Sequence, residues 1–432
     1  MLLGRRLPHR LEIALEVAAL IGGLVLMRAI SGLSHDDLQV LLFYHYGHTF
    51  WFGSPALYTL PLEYPPLSVI LFSFTVLPPL FGPIASITVY AVWMSLLALL
   101  SYALFRHFEG PQRARVAALA VLIATGSVLL ISYDLAPAMA TLGALWAAER
   151  RRFTLAYIMI TLGVLLKLYP VFLVPVVVIE QLQALGGVPT TEELRRRLAA
   201  LLTRSAVLAV LRGLALACAI LLLVFGVFWL RNASGALSAF SFAGQRPLQF
   251  ESVPATLLWI SRLFKVPVQL QYSFGAFNWV SPYDGPLKML SVVLLVFGCL
   301  FVYFRQLTGK LGLKQGFLAT LCVVVATNKV LSPQYFIWLL PVVVAVDCFD
   351  GIWLLICALT LLEYPLILPL RHHMSLDHYY TVVDSILILR NGLLILATIR
   401  AVLGKGRWVA IPGLQPIERR QGAAGKPAQV ST

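Results

Sequence analysis

The sequence predicts an all-α, polytopic membrane protein with about twelve transmembrane helices, each needing roughly 20 mostly apolar residues to cross the hydrocarbon. Three observations carry this prediction. Hydrophobic residues make up 59% of the 432 and charged residues only 12%, and the mean hydropathy of +0.85 is one that water alone does not keep in solution. Apolar runs of spanning length recur along most of the chain and leave no soluble domain of useful size. The net charge of +14 is also patterned: 22 of the 33 Lys and Arg fall in one alternating set of connections, namely Arg5, Arg6 and Arg10; Arg106, Arg113 and Arg115; Arg150 to Arg152; Arg195 to Arg197 with Arg204; Arg305, Lys310 and Lys314; and six from Arg400 to Lys426. That positive-inside pattern orients a membrane protein and attracts anionic lipid, so the basic balance points to the bilayer and not to nucleic acid.

With those clusters cytoplasmic, the spans fall near 11 to 30, 84 to 105, 116 to 133, 135 to 148, 153 to 167, 169 to 182, 205 to 230, 287 to 305, 315 to 329, 334 to 348, 351 to 370 and 378 to 398, and both termini lie inside. The first run follows a basic N-terminus, is interrupted by Glu12 and Glu16 and lacks a small-residue cleavage pattern, so it reads as a retained span. Residues 67 to 81 are apolar but closed by Pro78-Pro79 and Gly82-Pro83. If they crossed, Arg106 to Arg115 would move outside, so they read as a non-spanning arm on the outer face. Residues 1 to 411 then form one membrane domain with two long extracytoplasmic loops, 31 to 83 and 231 to 286, carrying short interfacial helices. Residues 183 to 204 read as an amphipathic cytoplasmic helix, and 412 to 432 as a disordered tail. The five cysteines lie in apolar segments without metal-ligand spacing and read as small buried hydrophobes.

The unusual polar groups collect on the outer side. Just past the first span stand Ser34-His35-Asp36-Asp37, followed by His45, His48, Trp51 and Tyr58 and then Glu63-Tyr64-Pro65-Pro66. Adjacent carboxylates at a membrane surface are costly unless they serve something. Asp36 and Asp37 suit an N-cap of the aromatic run 38 to 52, and equally suit a general base that takes a proton from an attacking hydroxyl. Lys167 ends a span within Leu165-Leu166-Lys167-Leu168-Tyr169-Pro170, where snorkelling is the plain explanation. Arg246 and Glu251 stand close in an aromatic loop, where a surface ion pair is the plain explanation. Asn328-Lys329-Val330-Leu331-Ser332-Pro333-Gln334-Tyr335 separates two apolar runs with more polar side chains than a hairpin needs. His372, His373 and His378 with Asp377 fit no zinc spacing, and the sequon Asn232-Ala233-Ser234 is too short to fix a compartment. No phosphate-binding Gly loop and no Ser-His-Asp arrangement is evident. Outer cations suit a lipid-linked phosphate, aromatics suit sugar rings, and a carboxylate suits activation of an acceptor.

Five segments in order resemble the polyprenyl-phosphate-sugar-dependent glycosyltransferases of the GT-C superfamily, in particular glycosyltransferase family 87. They are Asp37-Leu38-x-Val40; Glu63-Tyr64-Pro65-Pro66-Leu67; Lys167-Leu168-Tyr169-Pro170; Arg246-x-Leu248-Gln249-x-Glu251-Ser252; and Asn328-Lys329-Val330-x-Ser332-Pro333-Gln334-Tyr335 with Trp338 and Pro341. The resemblance implies mannosyl transfer with inversion on the extracytoplasmic face, from a polyprenyl-phosphate donor to a lipid or glycan acceptor. It places the catalytic base in the first outer loop, at Asp37 with Asp36 next in line. Lys167, Arg246 and Lys329 are then expected to hold the donor phosphate, and Glu63, Tyr64, Tyr169, Glu251, Gln334 and Tyr335 to position sugar or acceptor. No cofactor and no metal site is expected, although a divalent ion is not excluded. The alternative is a multi-pass transporter or flippase, whose intramembrane charges would line a path; asymmetric outer loops without internal repeats favour the enzyme.

Overall fold

The computed structural model describes residues 8–31, 37–53, 63–77, 83–186, 203–231, 233–367 and 376–406. The described chain is mostly helical. It runs α1 (His9–Ser31), α2 (Asp37–Phe52), α3 (Ser68–Phe72), α4 (Pro83–Glu109), α5 (Pro111–Leu129), α6 (Leu135–Glu149), α7 (Phe153–Leu166), α8 (Val174–Gly186), α9 (Arg204–Arg231), α10 (Ala233–Gln245), β1 (Leu248–Gln249), α11 (Val253–Ile260), β2 (Gln269–Ser273), β3 (Ala276–Val280), α12 (Asp284–Leu307), α13 (Leu313–Thr327), α14 (Phe336–Ala345), α15 (Gly351–Leu361) and α16 (Leu376–Val402). Among the described residues, seven helical runs are long and apolar enough to cross a membrane: those in α1, α4, α5, α9, α12 and α16, and Tyr169–Gly186, in which a 3-10 turn leads into α8. Five shorter apolar runs include α7, α13 and the stretches leading into and out of α14 and α15.

Long and short helices occupy different places for a physical reason. α13 and α14 are buried along nearly their whole length, so they meet helix and not lipid. Pro341 inside α14 is tolerable there because neighbouring helices surround the freed backbone. α9 and α12 instead leave large apolar side chains such as Leu222, Leu223 and Phe297 exposed, and a helix facing lipid must match a hydrocarbon layer about 30 Å thick. Close approach between α1 and α5 uses Gly126, where a Cβ would stand 2.6 Å from the Met27 Cγ.

Charged side chains gather where the helices begin and end. At one end, Arg106 bonds Glu16 at 2.8 Å, Arg115 bridges Glu16 at 2.6 Å and Glu12, Arg113 pairs with Glu109 at 2.9 Å and with Asp347, and Lys314 reaches Glu109 and Glu149 at 3.3 and 3.1 Å. The two acids that interrupt the first apolar run are thus partners of the basic connection after α4. The 67 to 81 arm, where described, holds only α3 and a three-residue 3-10 turn (Ser73–Thr75), far short of a crossing. α2 lies against it at Gly47, where a Cβ would meet the Phe72 carbonyl at 2.8 Å.

The second long loop holds a three-stranded antiparallel sheet of order β1-β3-β2, which the expectation of short interfacial helices did not include. Leu248 pairs with Trp279, Gln249 with Asn278 and Tyr272 with Phe277. Phe274 and Gly275, both at positive φ, form the two-residue turn between β2 and β3, the type I′ geometry that matches strand twist. The buried Asn278 amide donates to the Ser273 and Ala276 carbonyls and ties this turn down. Leu248, Ala255, Leu258 and Trp279 make a small core beneath. Of the other sequence expectations, most of the 183 to 204 helix and all of the 412 to 432 tail lie outside the described residues. Cys299, Cys322 and Cys357 are buried, whereas Cys218 is exposed.

Candidate functional site

The connection between α5 and α6 ends in Ser132-Tyr133-Asp134, and Asp134 is 1% exposed. A carboxylate taken out of water is stable only if paired and hydrogen-bonded. Its Oδ1 accepts from the Lys167 Nζ at 2.5 Å and from the Trp338 indole N–H at 2.6 Å, and its Oδ2 accepts from the Ser132 hydroxyl. Lys167 ends α7 in an extended conformation (φ −156°, ψ 135°), which turns its side chain into the bundle. The snorkelling explanation therefore fails for Lys167: its ammonium lies 4.8, 5.2 and 5.6 Å from the ring centroids of Trp338, Tyr133 and Tyr335.

An aromatic stack backs this pair. Trp338 lies between Tyr169, at 4.1 Å and 6° from parallel, and Tyr335, at 4.3 Å and 25°. The Tyr169 hydroxyl shares a 2.9 Å hydrogen bond with Thr141. Tyr64 packs edge-on to Tyr133 at 5.3 Å, and its hydroxyl accepts from the Gln39 amide at 3.3 Å. Gln39 sits in the first turn of α2, so the start of that helix borders the Tyr64–Tyr133–Asp134 cluster. The Glu63 carboxylate accepts from the Tyr46 hydroxyl at 3.0 Å.

The remaining cations arrive on two strapped loops. The Gln249 backbone N–H donates to the Lys329 carbonyl at 3.0 Å, and the Lys329 Nζ donates to the Gly244 carbonyl at 3.0 Å, joining the Arg246–Glu251 segment to the Asn328–Tyr335 segment. Burial, then the nearby charges of Lys288 and Arg246, push the Lys329 pKa down to about 8. The charge of Arg246 also bears on Lys167, so Arg246 lies within electrostatic reach of both Lys167 and Lys329. The Arg246 Nε and the Ser332 Oγ are buried and have no hydrogen-bond partner among the described residues. Buried donors left open in a cluster of positive charge fit an anion with several oxygens, such as a phosphate.

Glu251 is buried, so the surface ion-pair explanation does not describe it. Its carboxylate accepts from the Gln249 amide at 2.5 Å, and its carbonyl accepts from Arg390 at 2.7 Å and Asn391 at 3.1 Å on α16. Arg390 is itself fully buried and 3.4 Å from Glu363. Ser252 caps α11, its hydroxyl accepting from the Ala255 N–H.

The fold thus gathers Tyr64, Lys167, Tyr169 and Tyr335 around Asp134 and Trp338, with Arg246 in electrostatic reach of Lys167, Tyr335 and Lys329, and Gln334 half-buried in the same 3-10 turn (Pro333–Tyr335) as Tyr335. Asp37 opens α2, while Asp36, His372, His373 and Asn232 lie outside the described residues, as do the side chains of Asp37, Asp377 and His378. Asp134 is the site residue that the sequence reading passed over. Its signal was a lone carboxylate in a five-residue connection between two apolar runs. No protein-family profile matches the chain, and neither does any curated protein sequence.

Proposed function

We propose that the protein is an integral-membrane glycosyltransferase that moves a sugar, mannose by the family resemblance, from a polyprenyl-phosphate donor to a lipid or glycan acceptor. In this reading α1, α4 to α9 and α12 to α16 make about twelve crossings, with the shorter ones enclosed by the longer, and the Asp134 end of the bundle is extracytoplasmic. The observation that carries the proposal is the convergence of Lys167, Arg246 and Lys329 from three separate segments, beside a buried aromatic stack, with the Arg246 Nε still open.

The acceptor oxygen attacks the anomeric carbon as the bond to the phosphate oxygen breaks, and configuration inverts. Negative charge builds on the departing polyprenyl phosphate, where the three cations stabilise it most. The acceptor proton passes to Asp37, with Asp36 as the neighbouring candidate. Asp134 touches neither reactant in this scheme. It fixes the Lys167 ammonium by a 2.5 Å bond and so positions that charge. Glu63, Tyr64, Glu251, Gln334 and Tyr335 are assigned to position sugar and acceptor, and Tyr169 contributes through its stack on Trp338.

Purified protein given radiolabelled polyprenyl-phosphate mannose and a panel of lipid and glycan acceptors tests the proposal directly. Asp37→Asn keeps volume and a hydrogen-bond acceptor but cannot take the proton, so transfer falls by about a hundredfold or more, the lower range for general-base catalysis, while donor binding survives. Asp36→Asn is milder if Asp36 only caps α2. Full activity in the double Asn variant removes this loop from the chemistry, and leaflet-to-leaflet movement of the lipid within reconstituted vesicles, without sugar transfer, makes the protein a flippase.

A further inference from the structure

Residues 231 to 286 connect two candidate membrane spans, and part of that connection returns along the bundle. The apolar run Val253–Phe264 joins α11 to a 3-10 turn (Ser261–Phe264). At about 20 Å it is too short to cross a hydrocarbon layer about 30 Å thick, and an apolar helix of this length is a core helix, a re-entrant segment or an interfacial one. Two fixed points on α16 decide among these. The Thr256 hydroxyl accepts from the Asn391 amide at 2.7 Å, and Asn391 stands at the middle of the candidate span Tyr379–Val402. Arg262 lies in electrostatic reach of Asp384, and its guanidinium is 5.8 Å from the Trp279 ring, which in turn lies 6.2 Å from the ring of Tyr380. From Thr256 to Arg262 the chain advances about 10 Å along α11 and its 3-10 turn, and from Asn391 back to Asp384 is also about 10 Å along α16. The two helices therefore run antiparallel and in step. α11 starts at half the depth of α16 and rises toward Tyr379, the extracytoplasmic end in the proposed topology.

The start of α11 suits that depth. Backbone groups away from water need partners within the protein. The Glu251 carbonyl accepts from both Arg390 and Asn391, the Ser252 hydroxyl accepts from the Ala255 N–H, and Pro254 has no N–H to satisfy. Val253, Pro254, Ala255, Thr256 and Leu258 are buried against the bundle. The opposite flank is apolar and open. Leu257 is 46% exposed, Leu263 77% and Phe264 79%, the last two more than Leu222 (74%) on α9, whose face meets lipid in the proposed topology. Lys265, exposed and in the left-handed region at φ 61°, ends the run where a cation at the membrane interface can reach water.

We propose that Val253–Phe264 is a half-crossing helix set in the extracytoplasmic leaflet, and that its Leu257, Leu263 and Phe264 flank contacts the acyl chains of the phospholipid there. This placement needs α16 to cross the membrane and is independent of sugar transfer.

Photolabelling of the full wild-type chain in phosphatidylcholine vesicles, doped with a phosphatidylcholine that carries a diazirine on one acyl chain, tests the placement once the adducts are mapped by peptide mass spectrometry. With the diazirine at the chain terminus, adducts on Leu257 are expected to match those on Leu389, exposed at the same depth on α16. They should exceed those on the exposed Gln112 by at least about tenfold, since the reactive group stays in the hydrocarbon layer. Moving the diazirine close to the glycerol should shift labelling from Leu257 toward Leu263 and Phe264. A segment 253 to 264 free of adducts while Leu389 and Leu223 are labelled overturns the proposal. So does one labelling order from both probes, which is that of a helix lying flat. An unlabelled Leu389 beside a labelled Leu223 takes α16 out of the lipid and the proposal with it, without bearing on transfer activity. Adducts on this flank that appear only when the protein is diluted in lipid assign it to a second copy of the chain and also overturn the proposal.

Discussion

Removing the Asp134 charge is the perturbation that most directly tests the centre of the molecule. Asp134 is 1% exposed and the Lys167 side chain 14%, so the two charges meet where water screens little. Asp134→Asn keeps one acceptor oxygen, for the Trp338 indole, and its NH2 can donate to the Ser132 hydroxyl oxygen, so the main loss is the charge facing Lys167. Breaking a buried pair by deleting one partner costs about 3–5 kcal/mol, because the other charge stays buried and unpaired. Lys167→Met leaves a carboxylate that still has two neutral donors, which puts it at the low end of that range. The double variant has no buried charge at this place and should recover at least about 2 kcal/mol of the summed single losses. Unfolding free energies from SDS titration of the protein in mild micelles measure all four corners of the cycle. Additive single losses, or an Asp134→Asn protein within about 0.5 kcal/mol of wild type, would refute the buried-pair reasoning.

Three other outcomes follow from the geometry. Lys329 loses its proton near pH 8 and a phosphate prefers the protonated form, so kcat/KM for the donor should fall as pH rises through about 8; Lys329→Arg, which stays charged, should flatten that limb. Arg246→Ala should raise the donor KM by about tenfold or more while leaving insertion and folding intact, since its Nε has no partner to lose among the described residues; wild-type donor kinetics would remove Arg246 from the phosphate site. In a chain stripped of its own cysteines, a cysteine at Ser241 should react with an impermeant reagent from outside and one at Gln112 should not, and the reverse pattern would invert the topology.

Much of the fold was readable because lipid imposes local rules. The apolar runs fall on helices, and the basic connections around Arg106, Arg113 and Arg115 lie together at one end with their acidic partners. Glu12 and Glu16 looked like interruptions in a span. Their role depends on residues roughly 90 to 100 positions later, which no window over the first helix contains. The sheet of the second loop was missed for a different reason. Its turn is Phe274-Gly275, without the Asn-Gly or Asp-Gly pair that advertises a two-residue hairpin, and β1 supplies only two residues.

The site divides along the same line. Lys167, Lys329 and Tyr335 stood out because polar groups among apolar runs are expensive, and that cost is visible one residue at a time. Asp134 carries the same cost, yet a single acid between two helices also reads as an ordinary helix start, and Leu135 does begin α6. What separates the two explanations is the partner. Asp134 makes no capping bond with its own helix and instead receives Lys167 from 33 positions away and Trp338 from 204. A carboxylate turned away from the backbone donors beside it, toward a lysine on the next helix pair, has been used to hold that lysine in place. In the proposed reaction Asp134 sets the position of that lysine, whose ammonium is held between the carboxylate and three aromatic rings.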